Sequence, residues 1–303
     1  MIRKLSLNPI TRKKLQRFRS IKRGYWSFLL LFFLFGFSLL GELFVNKRAL
    51  LVWHESELFF PTYGSQIGGK TFGLDYEYET NYRELKRKFQ EDDSSHWVLM
   101  PPVPYDPFEM DYAKEDSTGF SPPSLADGHF CGTDKTERDV LARLLYGFRI
   151  AMIFSFGYLV LIYLIAICAG CLMGYFGGKT DILGLRLVEI WANVPFLYMV
   201  IILVSVMPGW WGIGWQVASL LFIMVLFSWT GMTYYVRAAV YKEKARDYVA
   251  AARVLGASPF RVIFRHLLPN VISTLVTFAP FTVAAAISSI TALDFLGYGL
   301  PAP

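Results

Sequence analysis

Apolar residues gather in five long runs: Trp26–Val45, Ile150–Met173, Leu187–Met207, Trp215–Val236 and Val271–Leu293. Each comes near the ~20 residues an α-helix needs to cross a hydrocarbon layer of ~30 Å, so five membrane-spanning helices are predicted. Only the third and fourth lie close together, joined by Pro208-Gly209-Trp210-Trp211-Gly212-Ile213-Gly214, a composition suited to a short turn in the aromatic belt. The first run is longer than the ~7–15 apolar residues of a signal peptide. It is followed by Asn46-Lys47-Arg48 rather than a small-residue cleavage site, so it reads as an anchor helix.

Composition agrees. Of 303 residues, 54% are apolar and 18% charged, and the mean hydropathy is +0.38. A soluble globular chain is nearer 45–50% apolar and about 25% charged. An aromatic content of 17% excludes a disordered or collagen-like chain. Three scattered cysteines exclude a disulfide scaffold. The net charge of +6 is unevenly spread. Residues 1–25 carry Arg3, Lys4, Arg12, Lys13, Lys14, Arg17, Arg19, Lys22 and Arg23 and no acid. The segment 237–266 carries Arg237, Lys242, Lys244, Arg246, Arg253, Arg261 and Arg265 against Glu243 and Asp247. Positive loops stay in the cytoplasm. Both segments are therefore predicted inside, with 46–149, 208–214 and the end of the sequence outside. Beside a membrane span, charge retention accounts for the basic N-terminus without a nucleic-acid partner.

The predicted outer segment 46–140 holds 18 of the 24 acidic residues against 10 Lys or Arg, a net charge of −8. Leu50–Trp53, Leu58–Phe60 and Trp97–Met100 read as short strands and Thr80–Phe89 as a surface helix, in a small, mostly irregular domain. Ser121-Pro122-Pro123 reads as an extended lead into the next unit. Gly64-Ser65-Gln66-Ile67-Gly68-Gly69-Lys70-Thr71 fits the phosphate-loop pattern G-x-x-x-x-G-K-T. That motif works only between a buried strand and a helix. The Phe72-Gly73-Leu74-Asp75-Tyr76-Glu77 that follows argues against such a helix, so the match is read as chance. Cys168-Ala169-Gly170-Cys171 lies inside an apolar run, where a thiolate is disfavoured. The recurrence of Ala166, Gly170 and Gly174 every four residues reads instead as close helix packing. The four histidines are scattered, and no zinc-ligand pattern or hydrolase motif is present.

The stretch 244–270 reads as two short helices meeting at a corner. Ala245–Leu255 forms the first, Gly256 supplies a left-handed residue past its end, Ser258 caps the second and Pro259 opens it. The second runs to about Leu267, and Pro269 is expected to break or kink the approach to the fifth span. Ala250, Ala251, Ala252, Gly256 and Ala257 leave a narrow face ringed by Arg246, Arg253, Arg261 and Arg265. Such a face suits either close docking of a protein or an amphipathic hairpin on anionic lipid.

Ala251-Ala252, Gly256, Ile263 and Leu268-Pro269 resemble the "EAA" loop of ABC importer permeases, with Ala250 where the family has Glu. Three further stretches resemble the peptide/nickel branch of that family. Gly132-Thr133-Asp134 with Arg138-Asp139-Val140-Leu141-Ala142-Arg143 and Tyr146-Gly147-Phe148-Arg149 is similar to its G-T-D-x-x-G-R-D-V-L-x-R signature, with Glu137 in place of a glycine. Gly174-Tyr175-Phe176-Gly177-Gly178-Lys179 is similar to its inner loop, and Leu293-Asp294-Phe295-Leu296-Gly297-Tyr298-Gly299-Leu300-Pro301 to the end of its fifth core span. The long insertion after the first span, with Arg23-Gly24-Tyr25-Trp26, resembles permease subunits of the microcin C/peptide transporters.

The resemblance implies an all-α polytopic membrane protein of the type I ABC importer permease kind. Five spans are present, and a sixth is expected after the Gly-x-Pro stretch but absent from this sequence. It divides as a basic cytoplasmic N-terminus (1–25), an anchor span (26–45), an acidic extracytoplasmic insertion (46–140) and a permease core (141–303) with a cytoplasmic loop at 237–270. It implies a multi-pass protein of the bacterial inner membrane that imports peptides or peptide-like compounds without being an enzyme itself. The partners implied are a second permease subunit, two cytoplasmic ATPase subunits holding ATP and Mg, an extracytoplasmic substrate-binding protein and membrane lipid. No cofactor and no metal are expected in this chain. The ATPase-coupling loop would comprise Arg246, Ala251, Ala252, Gly256, Ala257, Ser258, Pro259, Ile263, Leu268 and Pro269. The outer signature comprises Gly132, Thr133, Asp134, Arg138, Asp139 and Arg143. Asp294, near the outer end of the fifth span, is a gate candidate as an intramembrane carboxylate. Glu42 and Glu189, near span ends, are expected to reach interfacial water. A membrane-anchored sensor or scaffold with a ligand-binding outer domain is the rival reading.

Overall fold

The computed structural model describes residues 16–92, 96–110 and 120–300. The basic residues Arg3, Lys4, Arg12, Lys13 and Lys14, and Pro301 of the last motif, lie outside them. The chain divides into two compact units, one ending at Ile150 and the other starting at Ala151.

In the first unit a helical stretch over residues 16–20 is followed, after a bend at Ile21, by helix α1, Lys22–Leu39. Its residues Phe32 and Phe33 stand exposed. The predicted anchor Trp26–Val45 is therefore too long at its C-terminal end. The chain leaves the α-helix at Leu40, makes a 3-10 turn over Gly41–Leu43, and places Val45 in a bridge with Val103. Val45 is buried with Val103, Tyr105 and Ala142, a tertiary burial that helical periodicity does not reveal.

Strands β1 (Leu51–His54), β2 (Glu57–Phe59) and β3 (Trp97–Leu99) form an antiparallel sheet in the order β2-β1-β3. Glu55 and Ser56 join β1 to β2 with φ of 48° and 70°. Positive φ at both central residues matches the right-handed twist of the two strands. Helix α2, Tyr82–Glu91, is capped by Asn81, whose side chain accepts from the backbone N–H groups of Arg83 and Glu84. It buries Tyr82, Leu85 and Phe89 against Val52, Phe72 and Val98. All four predicted elements are present, shifted by one or two residues.

In the second unit the helices are long. Helix α3 is Val140–Phe176, α4 Gly178–Ala192, α5 Phe196–Ser205, α6 Ile213–Lys244, α7 Asp247–Val254 and α8 Pro259–Phe295. Among the described residues α3, α6 and α8 are long and apolar enough to cross a membrane, and α4 with α5 makes a fourth crossing if the bent pair is one span. Four of the five predicted runs thus map onto these helices, and the remaining one, Trp26–Val45, overlaps α1, an 18-residue helix whose first turn carries Lys22 and Arg23.

Two expectations are corrected here. The predicted continuous span Leu187–Met207 is broken between Ala192 and Phe196, where α4 and α5 meet at 69°. Pro195 has no N–H to offer and forces the residue before it out of the helical region. The side-chain amide of Asn193 donates to the Glu189 carbonyl at 2.8 Å and satisfies part of the frayed end. By contrast, Pro269 makes no break, and the second hairpin helix does not stop at Leu267. The chain runs on as α8, with a π turn over Val262–Leu267. A proline ring clashes with the carbonyl four residues earlier, here Arg265, and the wider π turn moves that carbonyl aside.

The core of this unit joins Phe154, Tyr158 and Ile162 of α3 to Leu220, Met224 and Val236 of α6 and Leu275, Ile290 and Leu293 of α8. Alanine 166 is fully buried. A Cβ added to Gly170 would stand 2.7 Å from Val236 Cβ, and one on Gly174 2.8 Å from Val240 Cβ. The small residues spaced by four therefore let α3 and α6 meet backbone to backbone, as the pattern predicts.

Candidate functional site

Between α6 and α8 the chain folds into the predicted corner. Helix α7 ends at Val254, Gly256 takes φ of 79°, and the Ser258 side chain accepts from the Arg261 N–H with Pro259 at the first helical position. One face of this hairpin is built into the protein. Val249, Ala252, Val262, Ile263 and Leu267 are buried, and Ala257 and Leu268 pack against the same core. The other face is open, with Ala250, Ala251, Gly256, Ser258, Pro259 and Pro269 exposed. The ten residues grouped as one loop surface thus separate, and Ala252 and Ile263 are anchoring residues rather than accessible ones. A helix of this length alternates faces every three to four residues, so adjacent alanines cannot share one.

Sequence reasoning missed the most prominent part of the open face. Val254 and Leu255 are each 87% exposed and Phe260 71%. The Phe260 and Phe264 rings lie 4.3 Å apart. Together they form an apolar tip at the corner. The signal was present as Val-Leu before Gly256, but it reads equally as ordinary helix core. Arg246, exposed, pairs with Glu243 at 3.2 Å. The Tyr248 hydroxyl donates to Glu243 at 2.8 Å and accepts from the Asn270 amide at 2.9 Å, tying the base of the hairpin to α8 about three turns past its start.

A second polar group lies beside it. Asp181 of α4 is buried and holds Arg237 of α6 through two hydrogen bonds, Arg237 Nη2 to Asp181 Oδ2 at 2.6 Å and Arg237 Nε to Asp181 Oδ1. The Tyr241 hydroxyl donates to the same carboxylate at 2.8 Å. Lys244 Nζ donates to the Tyr175 carbonyl at 2.5 Å, and the Arg253 guanidinium sits 4.9 Å from the Tyr175 ring centre. The Gly174–Lys179 loop is thereby fastened to both α6 and α7. Asp181 was not singled out from sequence, because a lone carboxylate next to a Gly-Gly turn carries no periodic signal.

The outer signature is a folded clasp at the start of α3. Asp134 accepts from the Thr136 N–H and hydroxyl, each at 2.8 Å, and from the Arg138 N–H at 3.1 Å. It also pairs with Arg138 and Arg143. Burial opposes its ionisation, but the hydrogen bonds from Thr136 and Arg138 and the Arg138 charge hold the carboxyl well below the usual carboxylate range. Glu137, where the family pattern has glycine, takes φ of 60°, so the turn keeps the glycine-like conformation. Asp139 caps α3 by accepting from the Ala142 N–H at 2.7 Å, and it meets His129 Nδ1 at 2.9 Å. Tyr105 stacks on that imidazole at 3.9 Å. Thr133 donates its N–H to the Ser121 carbonyl at 3.0 Å, and Gly132 packs so tightly on Ser121 that a Cβ would lie 2.6 Å from the same oxygen.

Asp294 is exposed and lines a cavity of about 310 Å³ with Gln216, Met207 and Tyr298. Glu189 pairs with Arg186 at 2.8 Å, and Glu42 stands 3.6 Å from Arg149. The phosphate-loop match has neither of its required neighbours. Gly69–Phe72 is a single 3-10 turn, and Gly68 and Gly69 are pressed against the backbone of Glu77 and Tyr76. Among the described residues no group of three or more His, Cys, Asp or Glu is placed to hold a metal.

Residues 166–303 match the model of the "Binding-protein-dependent transport system inner membrane component" family. Over 298 residues the chain is 37% identical to the inner membrane ABC transporter permease protein YejE of Escherichia coli, covering 97% of this chain and 83% of that protein. The chain belongs to this permease family. It is also similar to the peptidoglycan transport system permease protein YejE of Agrobacterium fabrum, at 35% identity over 97% of this chain and 80% of the relative. The oligopeptide transport system permease protein OppC of Lactococcus lactis shares 33% identity over 59% of each chain. This permease is therefore a multi-pass inner-membrane transport component, mostly helical, and its relatives are permease subunits rather than enzymes.

Proposed function

We propose that this permease is the translocation subunit of an ABC importer for peptides or peptide-like compounds, microcin C-like cargo included, and that its α7–α8 corner seats in a cytoplasmic ATPase. One observation carries the coupling role. The corner presents Val254, Leu255 and Phe260 to the outside while Val249, Val262 and Leu267 root its other face in the core of the spans. A push on an exposed tip rooted this way moves the spans, because packed interiors transmit displacement rather than absorb it. The relatives' names, with oligopeptide and peptidoglycan transport among them, support the peptide class.

In this reading α1 is the anchor and the first of five spans, segment 46–140 lies outside and the basic loop inside. Asp294 stands as the gate candidate at its polar cavity. ATP and Mg belong to two partner ATPase subunits, and a second permease and an outer substrate-binding protein complete the assembly. Co-expression with candidate partner genes and purification in detergent tests it. Leu255→Asp is the informative variant, because an 87% exposed side chain contributes little to folding. Gly256→Arg would add about 1–2 kcal/mol of left-handed strain and confuse the result. The wild type is expected to retain an ATPase and a second permease, and Leu255→Asp to lose the ATPase while keeping its melting temperature. ATPase retention by Leu255→Asp would remove the coupling role, and a wild-type chain that never retains one would favour the sensor or scaffold reading.

A further inference from the structure

The segment 46–140 is net −8, yet one face of its helix α2 is cationic. Arg83, Lys86 and Arg87 stand at i, i+3 and i+4; Arg83 and Arg87 lie away from the buried Tyr82, Leu85 and Phe89, and Lys86 flanks that buried face. Like charges at this spacing repel and destabilise a helix. Among the described ion pairs Arg83 has Glu109 as partner, while Lys86 and Arg87 have no carboxylate. The three cations line one wall of a cleft of about 820 Å³, whose other walls include Pro101, Pro104 and Tyr105. Among the described residues Asp127 is the acid in its lining. Arg83 lies 4.5 Å from the Tyr105 ring centre, which fixes the guanidinium at the cleft wall.

We infer that this cleft is a binding site for a short, extended, carboxylate-bearing peptide. Its size falls within the ~300–1,000 Å³ of ligand clefts and is far larger than a single phosphate needs. Two cations with no carboxylate partner among the described residues, beside a proline- and tyrosine-lined wall, suit a chain that offers several carboxylates and apolar stems together. A ligand of that charge would relieve the repulsion along α2. The inference rests on the peptide-import reading only for the choice of a peptide as ligand, and its test needs neither ATPase nor transport.

The full chain in detergent is titrated with a rhodamine-labelled hexapeptide containing four glutamates, followed by fluorescence anisotropy. Saturable binding is expected, weakening at least tenfold in Lys86→Glu/Arg87→Glu and by a smaller factor in Lys86→Gln/Arg87→Gln. It should also weaken between 50 and 300 mM salt, by order of magnitude, as exposed charges are screened. Lys70→Glu/Lys135→Glu, away from the cleft, should bind as wild type. Equal binding of the glutamine or lysine analogue, displacement by millimolar inorganic phosphate, or wild-type affinity in the double charge reversal would overturn the site. Such a failure with ATPase retention intact would leave the importer reading standing, and the converse result would separate them in the other direction.

Discussion

Replacing Gly170 with alanine tests the contact between α3 and α6. The new Cβ would lie 2.7 Å from both Val236 Cβ and Cγ1 and 3.0 Å from the Arg237 backbone nitrogen. Carbon atoms rest at about 3.5–4.0 Å, so the helices must part by roughly 1 Å. Overpacking of this kind costs about 1–3 kcal/mol. The close atoms are a Cβ and a backbone nitrogen, which no rotamer change can move, so the cost belongs at the upper end. Alanine recovers about 0.5–1 kcal/mol of helix propensity, leaving a net loss of about 2–2.5 kcal/mol. Thermal unfolding in detergent, read by size-exclusion fluorescence, should show a Tm lower by roughly 4–10 °C, using about 2–4 °C per kcal/mol for a unit of this size. Gly231→Ala in α6 is the control, because its Cβ meets nothing within 4 Å. It should raise Tm slightly. Val236→Ala should not rescue Gly170→Ala, since the Val236 Cβ remains. A Gly170→Ala protein that melts with or above Gly231→Ala would refute the close-packing argument.

Asp181→Asn should cost about 2–4 kcal/mol, below the full cost of breaking a buried pair because Arg237 is a quarter exposed. The double variant Asp181→Asn/Arg237→Gln should recover part of that loss in a double-mutant cycle, and strict additivity would show that the pair does not interact. Asp134→Asn should destabilise the clasp by about 1.5–3 kcal/mol at neutral pH, the range for hydrogen bonds to a charged group. The wild-type carboxyl titrates lower folded than unfolded, so its stabilisation is present above the unfolded value of about 3.9 and lost as pH falls through the folded one. Melting curves of the two proteins should therefore converge as pH drops below about 4, and a constant gap down to pH 2 would contradict the charge assignment.

Much of this permease was legible without coordinates because the bilayer is a demanding solvent. Every buried backbone group must bond within its own segment, so apolar runs of membrane length declare helices. The same local chemistry declared the Gly256 corner, the Ser258 cap and the strands of the 46–140 segment, where turn residues and alternation act over a few positions. The spacing of Ala166, Gly170 and Gly174 announced a close helix contact. It took the tertiary structure to name Val236 and Val240 as the other side. The break at Pro195 and the absence of one at Pro269 show the limit, because one proline ends a helix and the other is absorbed by a π turn. Which outcome wins depends on what packs around the freed carbonyl. Likewise, sequence assigned the alanines of α7 to one surface, whereas burial divided Ala252 from Ala251 and exposed Val254 and Leu255. The Asp181–Arg237 pair joins residues 56 positions apart, and no local pattern marks such a partner. Local propensity and the solvent determine which segments are helices. Long-range contacts decide which face each one buries, and therefore which residues remain free to meet a partner.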